Sequence, residues 1–170
     1  MAVHLAHFEH NHRAQWGVLS GESVIPLVED YPTTGDLLKR VEISTLKSAK
    51  GPSIALDDIK LLSPVTRNQQ FVCQGANYRQ HMIDSGVDPD TKNFNMIFTK
   101  APSCIVPADS AVIIPNHVRL LDYEAELGLV IRREITGQVK VTEQNLHEFI
   151  AGLVIVNDYS ARDIQIPEMQ

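Results

Sequence analysis

The chain has 170 residues, 44% hydrophobic and 21% charged, which is enough for one sizeable core and outside the composition of disordered chains. Fifteen Lys and Arg against 21 Asp and Glu give a formal net charge of -6. That balance weighs against nucleic acid or an anionic membrane as partner, and any anionic ligand must be met by local positive charge.

No apolar run approaches the ~20 residues that cross a bilayer. The His-rich, polar stretch from Met1 to Trp16 lacks the apolar centre of a signal peptide, so a cytoplasmic protein is expected. Cys73 and Cys104 have neither a CxxC partner nor metal-ligand spacing, and two buried thiols are expected rather than a disulfide.

From His4 to Leu27, Gly17, Gly21 and Pro26 break short apolar stretches, and Trp16 to Leu19 with Val24 to Leu27 flank a Ser-Gly-Glu-Ser turn; this predicts a hairpin. Leu37, Leu38, Val41 and Leu46 follow at near-helical spacing after Thr33, Thr34 and Gly35, which predicts one helix of about three turns over Asp36 to Lys47. A Gly-Pro loop and a short strand over Ile59 to Leu62 end this part. A boundary between Ser63 and Asn68 then separates a small N-terminal β/α domain, 1–65, from a second domain, 66–170.

In the second domain a strand is expected over Gln70 to Gln74, then a short helix over Asn77 to Ser85 stopped by Gly86 in a left-handed position. A polar loop follows over Gly86 to Asn95, with few apolar anchors, like a lid. Further strands are expected over Met96 to Thr99, Ala111 to Ile114, Leu120 to Ile131 and Ile150 to Asn157, the last nearly continuously apolar, as in a strand buried on both faces. A helix over Thr142 to Phe149, capped by Thr142 with Leu146 and Phe149 inward, interrupts them. The fold class is mainly β with short helices (α+β), without the strand-helix alternation of a doubly wound sheet.

Strand alternation through Leu120 to Ile131 puts Asp122, Glu124 and Glu126 on one face and Leu121, Tyr123, Ala125, Leu127, Leu129 and Ile131 on the other. Glu124 and Glu126 are then roughly 6.5 to 7 Å apart along the strand. Such a face is either the wet side of an antiparallel sheet or a cation site. Asp158, arriving at the end of an apolar strand, favours the second: a hard divalent cation, magnesium, manganese or calcium rather than zinc, because no Cys or His accompanies the acids. The cluster His4, His7, His10 and His12 fits neither a helix face nor one strand face and is not read as a ligand set.

The run Leu121-Asp-Tyr-Glu-Ala-Glu-Leu-Gly-Leu-Val-Ile131, then Ala151-Gly152, then Asn157-Asp-Tyr-Ser-Ala-Arg-Asp-Ile-Gln165, resembles the signature of the fumarylacetoacetate hydrolase family. Gly75-Ala-Asn-Tyr-Arg-Gln-His81 with Gly86, and Phe98-Thr-Lys-Ala-Pro-Ser103, resemble its earlier motifs in the right order, so the likeness spans about Phe71 to Gln165. It implies a mixed β-sandwich or roll that is incomplete at the C-terminus of these 170 residues. It also implies that Glu124, Glu126 and Asp158 bind magnesium or manganese, and that Arg162 and Gln165, with Lys100 and Tyr78, contact substrate. Without the motif, Arg162 and Gln165 would read as an ordinary surface pair and Lys100 as a solvated strand end.

In family members that cleave carbon–carbon bonds a His paired with an acid activates water, and His81 with Asp84 three residues later matches that pair, although some members carry Glu at the second position. The implied activity is metal-dependent hydrolysis of small 2,4-dioxo acids of the acylpyruvate or fumarylpyruvate type in aromatic catabolism. The alternatives are isomerase or decarboxylase chemistry on unsaturated oxo-diacids, or a fragment without turnover. A small anionic oxo-acid substrate and a homo-oligomer, a dimer, are the expected partners. Because Ile164 to Gln170 would hang from an unfinished sheet, a further segment of the same fold is expected in the working protein.

Overall fold

Two tight turns start the chain's first sheet. The computed structural model describes residues 2–84, 86–91 and 95–168. Strands β1 (Leu5–His10) and β2 (Arg13–Ser20) pair from Leu5 opposite Val18 to His10 opposite Arg13, and Asn11 and His12 between them both have positive φ, 51° and 61°. Positive φ at both central residues is the geometry of a type I′ hairpin. The predicted hairpin follows: β2 pairs with β3 (Ser23–Pro26) around Gly21 and Glu22, with Gly21 at φ 60°. Adding β4 (Ile54–Ala55) and β5 (Lys60–Leu62) gives a five-stranded sheet of order β4-β3-β2-β1-β5.

Phe8 and Val24 on this sheet are fully buried with Ala6, and a second cluster joins Trp16 and Tyr31 to Leu37. The expected three-turn helix is two shorter ones, α1 (Thr34–Arg40) and α2 (Ile43–Lys47). The break falls at β-branched Val41, which is extended (φ -110°, ψ 123°) while its N–H still closes onto the Leu37 carbonyl. Thr33 caps α1: its hydroxyl accepts from the Asp36 N–H at 3.1 Å and donates to the Asp36 carboxylate at 2.6 Å.

The chain divides into two compact units, Met1–Val65 with Pro107–Gln170, and Thr66–Val106. In the second unit β6 (Phe71–Gly75) pairs antiparallel with β7 (Met96–Lys100), and between them lies α3 (Arg79–Asp84). Gly86, at φ 74°, donates to Ile83, and Val87 donates to Met82, which closes the helix as a Schellman motif at the glycine the sequence pointed to. Ser85, positions 92–94 of the expected lid loop, and positions 169–170 lie outside the described residues.

The predicted strand Leu120 to Ile131 is two strands, β8 (Leu121–Asp122) and β9 (Ala125–Ile131). Their partners are β11 (Ser160–Ala161) and β10 (Ile150–Asn157). The expectation that β10 is buried on both faces is corrected: among the described residues it pairs with β9 alone, and Leu153 and Ile155 are 64% and 85% exposed. Ala111 to Ile114 forms no strand; with Ile113 87% exposed, it finds no ladder among the described residues. The helix expected over Thr142 to Phe149 shrinks to α4 (Leu146–Phe149), because Asn145 accepts from the Thr142 N–H and folds the first residues into a turn. Phe149 is buried as expected, but Leu146 is exposed. Neither cysteine is buried, Cys73 being half-buried and Cys104 exposed, and among the described residues no disulfide forms.

Candidate active site

Register decides which side chains can meet. From Gly152 opposite Val130 to Asn157 opposite Ala125, and again at Ser160 opposite Asp122 and Ala161 opposite Leu121, β10–β11 and β9–β8 keep one antiparallel register. Asp158 therefore falls opposite Glu124, and its N–H donates to the Glu124 carbonyl at 2.8 Å. The ladder is interrupted here, where the Glu124 N–H donates to the Asn157 side-chain oxygen at 3.2 Å. Directly opposed residues share a face, as do residues two apart, so Glu124, Glu126 and Asp158 project from the same side, at cross-strand spacings of roughly 5 to 8 Å.

That side is the more covered one. Burial along β9 alternates, with Glu126, Gly128 and Val130 half-buried and Leu127, Leu129 and Ile131 more than half exposed. Gly128 allows the strands to close beneath the acids: a Cβ there would meet a Val154 methyl at 2.8 Å.

Arg162 occupies the middle of this face. It opens α5 (Arg162–Glu168), and its N–H donates to the Leu120 carbonyl at 2.9 Å, which continues the ladder by one step. Its side chain, 20% exposed, donates from Nε to Asp122 Oδ2 at 2.9 Å, from Nη2 to Glu124 Oε1, and from Nη1 to Gln165 Oε1 at 2.8 Å. Burial works against the guanidinium's charge, but the hydrogen bonds to Glu124 and Asp122 outweigh it and hold the group more firmly protonated than usual. In return Arg162 holds the Asp122 carboxyl below the usual carboxylate range.

Next to it, Asp163 accepts from the Arg119 backbone N–H at 2.7 Å, which lowers its pKa. Its Oδ1 is buried with no partner among the described residues. Neither Asp122 nor Asp163 stood among the site residues expected from sequence. The alternation that puts Asp122 on the face of Glu124 was the signal for the first.

The donor set suits a hard divalent cation in chemistry and in face, with three carboxylate positions and no sulfur or imidazole. The side chains as placed do not gather: among the described residues no three His, Cys, Asp or Glu groups form a cluster able to hold a metal ion. Glu124 is turned to Arg162, a cation supplied by the chain itself.

His81, Asp84, Tyr78 and Lys100 lie in the Thr66–Val106 unit. His81 and Tyr78 are exposed on and before α3, and Lys100 ends β7 opposite Phe71. Asp84 accepts from Gln80 at 2.8 Å, one helical turn back, and among the described residues no hydrogen bond or ion pair joins it to His81. Arg79 meanwhile forms a two-pronged pair with Asp90 at 2.7 and 2.8 Å. A cavity of about 290 Å³ lies beyond the far end of β9, lined by Arg133 to Val139 and Phe149, with the Arg133 guanidinium 4.6 Å from the Phe149 ring centre. Five strand residues, roughly 17 Å, follow Glu126 before that end, so this cavity is not the carboxylate site.

The family model described as fumarylacetoacetate (FAA) hydrolase C-terminal matches residues 70–170, more than half of the chain. The chain belongs to the fumarylacetoacetate hydrolase family. It is 33% identical over 115 residues to the oxaloacetate tautomerase YisK of Bacillus subtilis, covering 65% of this chain and 36% of that protein. A mitochondrial oxaloacetate tautomerase of Bos taurus is 30% identical over 145 residues, covering 85% of this chain and 43% of that one. Among solved structures, the fumarylacetoacetate hydrolase of the psychrophile Exiguobacterium antarcticum superposes with a TM-score of 0.73 at 28% identity, over 99% of this chain and 60% of that one. The chain thus spans about two fifths of the length of these curated relatives, in a fold that is mostly β with short helices. Among the described residues no helix is long and apolar enough to cross a membrane.

Proposed function

We propose that this chain carries the cation-binding face of an enzyme that moves a proton beside the carbonyl of a small anionic 2-oxo acid, with the keto–enol interconversion of oxaloacetate as its reaction. The observation that carries this reading is the single register that puts Glu124, Glu126 and Asp158 on one covered face beside Arg162. A divalent cation held by those three carboxylates would supply Lewis acidity to the oxygen that gains negative charge as the enol forms.

Arg162 would meet a substrate carboxylate. Of the five N–H groups of a guanidinium, three face Asp122, Glu124 and Gln165, and the group is pinned at one edge by Asp122. Gln165, held by Arg162 Nη1, would add an amide donor next to it. Support for the choice of substrate comes from the relatives' names, both oxaloacetate tautomerases.

Hydrolysis of 2,4-dioxo acids is the second reading, favoured by His81 standing exposed on α3 within the Asn77-Tyr78 motif. It asks Asp84 to leave Gln80 and orient His81. One assay separates the two. The ultraviolet absorbance of enol-oxaloacetate is followed with Mn2+, with chelator, and with the Glu126→Gln variant, beside acylpyruvate cleavage under the same conditions. Metal-dependent acceleration of enol decay that Glu126→Gln abolishes supports tautomerisation. Cleavage of acylpyruvate without that acceleration supports hydrolysis instead.

A further inference from the structure

The turn from β11 into α5 places Arg162, and little ladder holds that turn. β8 and β11 pair over two residues, Ser160 opposite Asp122 and Ala161 opposite Leu121, and the Arg162 N–H on the Leu120 carbonyl adds one further bond. Pairing of two residues is well below the usual length of a strand and is weak by itself. The chain turns helical at Arg162, so the ladder stops while the facing segment still carries backbone N–H groups that need acceptors.

Asp163 supplies one. Its Oδ2 accepts from the Arg119 N–H at 2.7 Å, across 44 residues of chain. That N–H leads the causes that hold the Asp163 carboxyl below the usual range, and the Leu120 N–H adds to it. The segment is thus gripped at two consecutive residues, Arg119 donating to the Asp163 side chain and Leu120 accepting from the Arg162 main chain. The two grips flank the Arg162 Cα, one through its own N–H and one through the next residue's side chain. From between them the arginine side chain reaches Asp122 from Nε at 2.9 Å and Gln165 from Nη1 at 2.8 Å.

We propose that Asp163 is a positioning residue acting through Arg162: by anchoring residues 119 and 120 against the first turn of α5, it fixes where the guanidinium points and so how its donors meet an anionic substrate. The inference rests on the reading of Arg162 as the group that meets a substrate carboxylate. It gives neighbouring residues different tasks, since Arg162 touches the substrate and Asp163 does not. The task is that of a hydrogen-bond acceptor, which an asparagine oxygen also performs.

The test follows the Arg162 Nε–H signal by nitrogen-15 NMR in the 170-residue chain as wild type, Asp163→Ala and Asp163→Asn, with Arg162→Gln to assign the signal. Oxalate is titrated into the same four proteins by calorimetry in the presence of Mg2+, and circular dichroism with Trp16 fluorescence confirms that each is folded. In Asp163→Ala the Nε–H should exchange with water about tenfold faster and oxalate should bind about tenfold more weakly, approaching Arg162→Gln. Asp163→Asn should keep the slow Nε–H and an affinity within about twofold of wild type.

Unchanged Nε–H exchange in Asp163→Ala overturns the proposal, and so does an Asp163→Asn protein that behaves like Asp163→Ala. Oxalate affinity that falls in Arg162→Gln but holds in Asp163→Ala overturns it as well. Should Asp163→Ala not fold, wild type decides: the Arg119 amide and the Arg162 Nε–H should gain exchange together as urea is added, and independent opening overturns the proposal. Oxalate binding that is absent in wild type or unchanged in Arg162→Gln overturns the substrate reading of Arg162 instead, and the Nε–H exchange still decides whether Asp163 positions it.

Discussion

The five-stranded sheet at the start of the chain and the β8–β11 ladder near its end handle apolar surface in opposite ways. In the first, Phe8, Val24, Trp16 and Leu37 are at most 3% exposed, and every strand of the sheet comes from residues 5–62. In the second, Leu127, Leu129, Ile131, Leu153 and Ile155 leave more than half of their surface open, while the opposite face is filled with Asp122, Glu124, Glu126, Asp158 and Arg162. The contrast separates two jobs for a β-ladder. One supplies stability through a closed core; the other holds charges in fixed register, and its own apolar side adds little within these residues.

The largest effect should come from opening the closed core. Phe8→Ala removes a ring with no solvent exposure, and a loss of about 3–4 kcal/mol is expected in a urea titration followed by Trp16 fluorescence, Trp16 being the chain's single tryptophan. A loss under about 1 kcal/mol would mean that the first sheet is no better packed than the ladder. Next comes Gly128→Ala, which forces a methyl to within 2.8 Å of Val154. It should cost about 1–2 kcal/mol and speed amide exchange in β9 and β10, leaving Trp16 fluorescence at its native value.

Thr33→Ala removes the cap of α1 and should lower the stability read from the same urea titration by about 1 kcal/mol. Acid should act on the ladder rather than on the first sheet. Asp122 and Asp163 both have carboxyl pKa values lowered by folding, the first through Arg162 and the second through the Arg119 N–H. Below about pH 4 the unfolded chain therefore binds more protons, so this stability is present above that pH and is lost as the pH falls through the folded values. Amide exchange measured from pH 6 to pH 3 should show β8 and β11 loosening before β1 and β2 do. The smallest change should be Ile155→Thr, within about 0.5 kcal/mol, since that side chain is already 85% exposed. A larger loss would show that the open face is covered in solution.

How much of this was legible in the sequence depended on whether the signal was local. The Gly21 hairpin, the Gly86 helix stop and the alternation of β9 each rest on a few neighbouring residues, and each stands where the residues pointed. The Asn11-His12 turn carries no glycine, so its positive φ values were invisible, and with them the reason the N-terminal histidines share no face: His7 stacks on Trp16 at 4.4 Å, His10 ends β1 and His12 lies within the turn.

Val41 broke a helix that spacing alone would continue, and Ile150 to Val156 reads as a doubly buried strand because composition records what a strand could bury, not whether neighbours are there. The carboxylates were found by alternation and by family likeness. Register explained why Asp158 belongs with Glu124, a relation across 34 residues that no local pattern contains. The hold of Arg162 on Asp122 and Glu124, and of Gln80 on Asp84, required side-chain placement and had no sequence signal of its own.

The central claim, that Glu124, Glu126 and Asp158 form one cation site, is tested most directly by Mn2+ stoichiometry. The account predicts one Mn2+ per chain in wild type, and none in a Glu124→Gln, Glu126→Gln, Asp158→Asn triple variant whose circular dichroism matches wild type. Mn2+ binding that survives in the triple variant, or no bound Mn2+ in wild type, would contradict it.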